Sequence, residues 1–405
     1  MASSIRKGKN SEDIQEMNRS LIIRILQQSK TISRADIAKK SGLQQATITY
    51  IINDFIKWGF VEETGIIEGA KGRRSIGLSI RSEKYKVISA RLVRKYFTLA
   101  VFDVKGKRYS IHQYKIDSRD ELKNILACVV KEIKAVKENY ANDKILGVGI
   151  AVPGPLTKRE NSIVYFTGFS QWQNVDISQY LENEVELPVY LEQDANAATL
   201  AEWSAIENHN ENETMLCVMV GQGIGAGIVD DGKLIRGKLG IAGEIGHMSL
   251  EYDGPQCECG NCGCMDFYTS TSAVMREVRS NIGDYPNTAL NSESTIADIL
   301  EAYRKNDELA LKTVNRAARY LGYGLVNITN IINPGIIIIG DEMSKAGEKY
   351  LNEIIKTIKK RIQESVFKNL QIRLSKFEED TALIGVSYLV INESIKKPEI
   401  FISNT

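Results

Sequence analysis

Four of the six cysteines in this chain, Cys257, Cys259, Cys262 and Cys264, fall inside eight residues, and His247 lies ten residues before the first of them. Thiolates and imidazole are ligands that zinc prefers, and one imidazole with three thiolates fills a closed tetrahedral site. Closed coordination leaves no position for water, so the implied role of the ion is structural. His247, Cys257, Cys259 and Cys264 form the expected ligand set. Cys262 is a further candidate, and the spacing leaves open which three thiols bind. Four unligated thiols in one polar loop would oxidise readily if exposed. In a chain with no export signal such clustering points to metal and not to a disulfide framework.

A second group of residues suits nucleic acid. Gln44, Gln45, Thr49 and Tyr50 stand on the polar front of the segment QQATITYIINDFIKWG. Glutamine can contact adenine with both ends of its amide, and threonine can meet a base edge or a thymine methyl. Lys71, Arg73 and Arg74, in GAKGRRSIGLSI, are placed to reach phosphate or the minor groove. Charge agrees with this division. Residues 1–81 hold 14 Lys/Arg against 8 Asp/Glu, a net of +6, inside a chain whose overall net charge is +1. A third group, the glycine-rich GQGIGAG at 221–227, joins two apparent strands and does not open a helix. It is therefore not a dinucleotide fingerprint, and a tight hairpin explains it equally well.

These groups need elements to hold them. At 405 residues the chain exceeds one ordinary core, so two or three domains are expected. Residues 13–28 place Ile14, Met17, Leu21, Ile22 and Ile25 at helical spacing. Ser33 and Asp36 make a capping-box-like start to a second short helix, and Gly42 supplies the break before a third. The third buries Ile48, Ile51, Ile52 and Phe55. This is the helix-turn-helix pattern, whose second element enters the major groove. A two-stranded wing follows from Phe60-Val61, with its turn expected at Gly65. The bland alternative is a small helical adaptor or dimerisation domain whose charges face solvent.

From Tyr85 onward, strands alternate with helices. Three strands turn at Lys105-Gly106, a helix covers about 119–140, and ILGVGIAVPGPL, LPVYL, MLCVMV and GIIIIG read as buried strands. The fold class expected is α/β, an N-terminal winged helix-turn-helix followed by two similarly built lobes. The expected boundaries are a flexible 1–12, a DNA-binding 13–82, a smaller lobe from 83–193 plus 376–400, and a larger lobe with the zinc loop from 194–375. No signal peptide and no uninterrupted 18-residue apolar run is present, so a cytoplasmic protein without membrane spans is expected.

With GEIGHM at 243–248, CECGNCGC at 257–264, QDANAA at 193–198 and the GRR wing, the chain resembles the ROK family of repressors, open reading frames and sugar kinases. The likeness runs from about residue 13 to 390 and is strongest to repressors that respond to xylose, N-acetylglucosamine or glucose. It implies an actin-like (ribonuclease H-like) two-lobed fold and a homodimer or homotetramer that grips operator DNA. It also implies an effector site drawn from Gly154, Phe169, Gln193, Asp194, Glu244, His247 and Asp266. In the family's kinases the aspartate matching Asp194 deprotonates a sugar hydroxyl, and the histidine matching His247 serves sugar and zinc alike.

The departures carry equal weight. Where the kinases have a glycine-rich phosphate loop, this chain has SARLVRKY at 89–96, without glycine or a leading aspartate. Gln222 replaces the threonine of the second phosphate loop. Phe169, before Trp172, and Gln193 each stand where asparagine is usual, and Asp266 stands where glutamate is usual. Nucleotide phosphates need close backbone approach and coordinated magnesium. The expectation is therefore a non-enzymatic repressor, released from DNA by a xylose- or glucose-like monosaccharide or its derivative. The rival readings are a working sugar kinase with an added DNA-binding head, and a regulator controlled by a protein partner.

Overall fold

The computed structural model describes residues 10–68, 74–93, 96–116, 122–157, 162–163, 176–206, 213–377 and 380–402. Lys71, Arg73, Phe169, Trp172 and most of the expected flexible arm lie outside the described residues. No helix among the described residues is long and apolar enough to cross a membrane.

The chain forms two compact units, the first from Met1–Ile150, Ser178–Tyr190 and Ser387–Thr405, the second from Ala151–Ile177 and Leu191–Val386. The first unit opens with α1 (Ser11–Gln27), whose cap Asn10 and third residue Asp13 exchange hydrogen bonds in a capping box. A short strand, β1 (Ile32–Ser33), leads into α2 (Arg34–Ser41). Ser33 caps α2 as its pattern requires, accepting from the Asp36 amide at 3.1 Å. Gly42 ends α2 at φ 70°, a left-handed conformation that favours glycine. Helix α3 (Gln45–Lys57) buries Ile48, Ile51, Ile52 and Phe55, the face expected from its periodicity.

The wing consists of β2 (Val61–Glu68) and β3 (Arg74–Ile80), and β1 joins them in a sheet of order β1-β3-β2. Gly65 is not the wing's turn. It sits inside β2 at φ 96°, where the register shifts between Glu63 and Ile66. Its freedom at positive φ makes a bulge, so the strands run on past it.

Beyond the wing come β4 (Tyr85–Val93), β5 (Tyr96–Asp103) and β6 (Arg108–Lys115), an antiparallel meander. After α4 (Leu122–Asn139) and β7 (Lys144–Val152), a small ribbon pairs β8 (Leu156–Thr157) with β9 (Ser162–Ile163). Helix α5 (Ile177–Val185) and β10 (Val189–Gln193) follow. The sheet order is β10-β7-β4-β5-β6. Its edge strand β6 is mostly exposed and carries Arg108 and Lys115, which discourages pairing with another chain.

In the second unit α6 (Asp194–Ser204) leads to a hairpin of β11 (Thr214–Val220) and β12 (Ile224–Asp230), with β13 (Lys233–Leu234) alongside. Helices α7 (Asp266–Thr269), α8 (Thr271–Asn281), α9 (Ile296–Arg304) and α10 (Glu308–Ile332) come next. The unit continues with β14 (Ile336–Gly340), α11 (Glu348–Lys359), α12 (Glu364–Lys368) and β15 (Gln371–Leu374). Helix α13 (Thr381–Ile395) has residues in both units. The second sheet runs β13-β12-β11-β14-β15, with β14 parallel to both neighbours. All five residues of β14 are buried, as a central parallel strand requires.

The head is not a separate bead. Its core of Ile22, Leu26, Ile51, Phe55 and Phe60 is continuous with Tyr85, Val87, Val390, Ile395 and Phe401 of the same unit. The rings of Phe60 and Phe401 lie 4.3 Å apart, the Tyr85 hydroxyl donates to the Phe401 carbonyl at 3.0 Å, and Ser20 Oγ donates to the Ile395 carbonyl at 2.7 Å.

Candidate functional site

On the head, burial of one face of α3 turns the other outward. Gln44, Gln45, Thr49 and Tyr50 are exposed, Tyr50 at 57%, and Arg74, paired with Glu68 at the end of the wing far from its root, is exposed too. Thr49 Oγ1 donates to the Gln45 carbonyl at 2.9 Å, so its proton is committed to the helix. Asn53, one turn beyond Thr49, is exposed on the same side and was missed by sequence reasoning. Its spacing of four from Thr49 was the available signal.

The cysteine loop closes on itself. One ligand atom from each of His247, Cys257, Cys259 and Cys264 lies within 4.8 Å of all the others, so these residues could hold a metal ion. Cys257 Sγ lies 3.7 Å from His247 Nδ1, and Cys259 Sγ lies 3.7 Å from Cys264 Sγ. Tetrahedral zinc has edges of about 3.8 Å between sulfurs and about 3.5 Å between sulfur and nitrogen, given Zn–S of about 2.3 Å and Zn–N of about 2.0 Å. The donor set and its spacing therefore fit that ion. Cys262 is not in the cluster. Its backbone carbonyl accepts from Ser249 Oγ at 2.7 Å, and it bridges to Gln256. Burial and the neighbouring thiols push the Cys264 thiol up to about 12.

The remaining described residues of the expected effector set converge on one corner of the second unit. Gln193 ends β10 and Asp194 opens α6, where a carboxylate is favoured by the exposed amides of the first turn. Gln193 Nε2 donates to Glu244 Oε1 at 2.7 Å, and Asp194 Oδ1 accepts from the Ala195 amide at 2.8 Å. A Cβ on Gly154 would stand 2.3 Å from the Gln193 amide group, so only glycine lets that loop lie on it. Asp266 Oδ2 is packed beside Gly223, and its Oδ1 beside Gly246. Gln193 Oε1 and Asp266 Oδ1 are both buried and accept no hydrogen bond within the chain.

Two carboxyls here are shifted upward. Burial raises Glu244 above the usual carboxylate range, against the hydrogen bond from Gln193, with Asp194's charge adding to the rise. Burial likewise pushes Asp266 up to about 6, offset in part by His247. Buried acceptors clustered this way await donors, and the hydroxyls of a polyol are donors of the right kind.

Close by, Asp341 takes a backbone conformation, φ 67° and ψ −161°, that is almost confined to glycine. A Cβ on Gly221 would meet Asp341 Oδ2 at 2.5 Å, so this carboxylate lies directly on the Gly221–Gly223 turn. The segment that replaces the first phosphate loop enters ordinary strand, β4 through Val93 and β5 from Tyr96. Asp341 lies 120 residues from the turn in the chain, so no local pattern marks it in the sequence.

The model of the ROK family matches residues 87–393, and the model of the MarR family matches residues 16–64. A xylose repressor of Caldicellulosiruptor bescii is 29% identical over 400 residues, covering 95% of this chain and 98% of that protein. An N-acetylglucosamine repressor of Escherichia coli O157:H7 is 26% identical, covering 94% of each. Among solved structures, a ROK family transcriptional regulator homologous to the E. coli MLC protein superposes with a TM-score of 0.83 at 25% identity, covering 96% of this chain and all 100% of that one. A ROK family glucokinase from Streptomyces griseus, in complex with glucose and AMPPNP, gives a TM-score of 0.66 at 25% identity, covering 75% of this chain and 98% of that one.

Proposed function

The chain belongs to the ROK family, and from that membership and its site geometry we propose that it is a sugar-responsive, DNA-binding transcriptional repressor of the cytoplasm. The observation that carries this reading is the pairing, on one chain, of an outward polar face on α3 with a corner of buried, unpartnered acceptors. Gln44, Gln45, Thr49 and Tyr50 read base edges of double-stranded operator DNA, while Lys71, Arg73 and Arg74 hold backbone or minor groove. A homodimer or homotetramer presents two heads to half-sites one helical turn apart. A monosaccharide of the xylose or glucose type donates its hydroxyls to Asp194, Glu244, Gln193 and Asp266, with Gly154, Phe169 and His247 completing the site. Zinc held by His247, Cys257, Cys259 and Cys264 fixes the loop that carries these groups and takes no part in chemistry. Sugar binding lowers operator affinity by a coupling of about 1–3 kcal/mol, or roughly 5–150-fold.

The rival reading, a working sugar kinase, draws on the fold shared with the Streptomyces glucokinase. Against it stand the missing first phosphate loop and the Asp341 carboxylate on the second. A negative charge a few ångströms from an incoming phosphate opposes binding most strongly where water is scarce. Titration of the chain off a labelled operator with D-xylose, D-glucose and N-acetyl-D-glucosamine, with and without ATP and magnesium, tests the proposal. At least one sugar is expected to release the parent chain, and ATP is expected to change nothing. Asp194→Asn exchanges an acceptor-only carboxylate for an amide with one acceptor oxygen. Its sugar affinity is expected to fall about ten- to a hundredfold, with sugar-free operator affinity unmoved. Sugar-dependent ADP production by the parent, abolished in that variant, would overturn the non-enzymatic reading.

A further inference from the structure

The corner that gathers Gln193, Asp194 and Glu244 stands on a carboxylate that none of its ligand-facing roles uses. Glu192, the residue before Gln193, is 1% exposed. A buried carboxylate must be paired and hydrogen-bonded to remain charged. One oxygen, Oε1, accepts from the Gln193 amide at 3.1 Å and from Asn196 Nδ2 at 3.3 Å. The other, Oε2, accepts from Arg236 Nη2 at 2.6 Å. Glu192 is thus pinned on one side by the first turn of α6 and on the other by a guanidinium.

Arg236 lies in the loop after β13, and its own carbonyl accepts from the Ala242 amide at 3.0 Å. Gly243 follows, its carbonyl accepting from the Ala226 amide of β12 at 3.0 Å, and Glu244 comes next. One residue therefore holds both segments of the corner. Its side chain fixes the strand end that carries Gln193 and Asp194, and its backbone fixes the loop that carries Glu244. The two segments meet at the 2.7 Å bond between Gln193 Nε2 and Glu244 Oε1.

We propose that Arg236 is the positioning residue of the effector corner, setting through Glu192 the placement of Gln193 and Asp194 against Glu244. The inference rests on the sugar-sensing reading. It assigns Arg236 no contact with the sugar. Without the guanidinium on Oε2, Glu192 swings toward water. The swing releases the Gln193 amide and Asn196 from Oε1 and tilts the start of α6. Placement errors of this size weaken a multidentate polyol site at several hydroxyls together.

The test uses the full chain and the sugar that releases the parent from its operator among D-xylose, D-glucose and N-acetyl-D-glucosamine. Arg236→Met is expected to weaken that sugar at least tenfold. Zinc content and sugar-free operator affinity are expected to stay at parental values. Arg236→Lys, which returns the charge to Glu192, is expected to recover most of the lost affinity. A merely space-filling role predicts no difference between the two variants, since methionine replaces the arginine stem as well as lysine does. If Arg236→Met fails to fold, Glu192→Gln combined with it removes the buried unpaired charge. That double variant is expected to fold and to bind sugar more tightly than any Arg236→Met that can be recovered. Parental sugar affinity in Arg236→Met, or no recovery in Arg236→Lys, would remove Arg236 from this role while leaving the sensor standing. A parent released by no sugar of the panel would sink the sensor and this inference together.

Discussion

Cys262 and Cys264 are separated by one glycine, yet they have opposite fates. Gly263, at φ 63°, turns the chain so that Cys264 points inward to the cluster while the carbonyl of Cys262 is claimed by Ser249. That distinction was legible only in part, since Cys264 stood in the expected ligand set while the spacing left Cys262 open as a further candidate. What could be read was the ligand chemistry, because His247 and the cysteines are close neighbours along the chain. Glu192 with Arg236, and Gly221 with Asp341, are partners brought together only by folding, and no local pattern announces them. The cluster makes a clean prediction. Metal analysis of reduced protein is expected to find one zinc per chain, kept in Cys262→Ser and lost in Cys264→Ser. Zinc retained in both variants, or lost in the first alone, would mean a different ligand set.

Helix α3 is where element-scale reasoning succeeded most fully, since its apolar residues repeat at helical spacing and its polar front was what remained. The structure adds its mounting. Arg19 of α1 reaches Asp54 of α3 at 2.6 Å and lies over the Trp58 ring at 5.0 Å, so the outward face is held from behind. The wing was legible in outline, but Gly65 was misplaced because glycine marks a bulge as readily as a turn. The two elements are expected to fail differently. Gln45→Ala should relax base preference at one operator position by about 1–3 kcal/mol and leave random DNA almost unaffected. Arg74→Ala should weaken specific and random DNA alike and lower the salt slope by about one. Competition binding over a salt series separates them; equal loss on both DNAs for Gln45→Ala would deny it a base-reading role.

At the scale of the molecule, alternating strands and helices gave the α/β class, while the joining of head and C-terminal tail could not be anticipated. Hydrophobic periodicity reports which face of an element is buried and is silent about what buries it. Phe401 is 1% exposed against Phe60 and Tyr85, so Phe401→Ala should destabilise the head by about 3–5 kcal/mol. Hydrogen exchange in α1 and α3 is expected to accelerate and operator affinity to fall, with zinc content unchanged; parental exchange in those helices would show the tail to be dispensable. The same contact has a consequence for biosynthesis. Ribosomes emit the head first, yet roughly 300 residues separate Ile80 from the phenylalanine that completes its core. At about 5–20 residues per second the interval is on the order of tens of seconds. Through that interval the nascent head carries the outward face of α3 on an unfinished floor. A prematurely terminated chain stays in that condition, and such fragments are expected to bind the operator less tightly than the full chain.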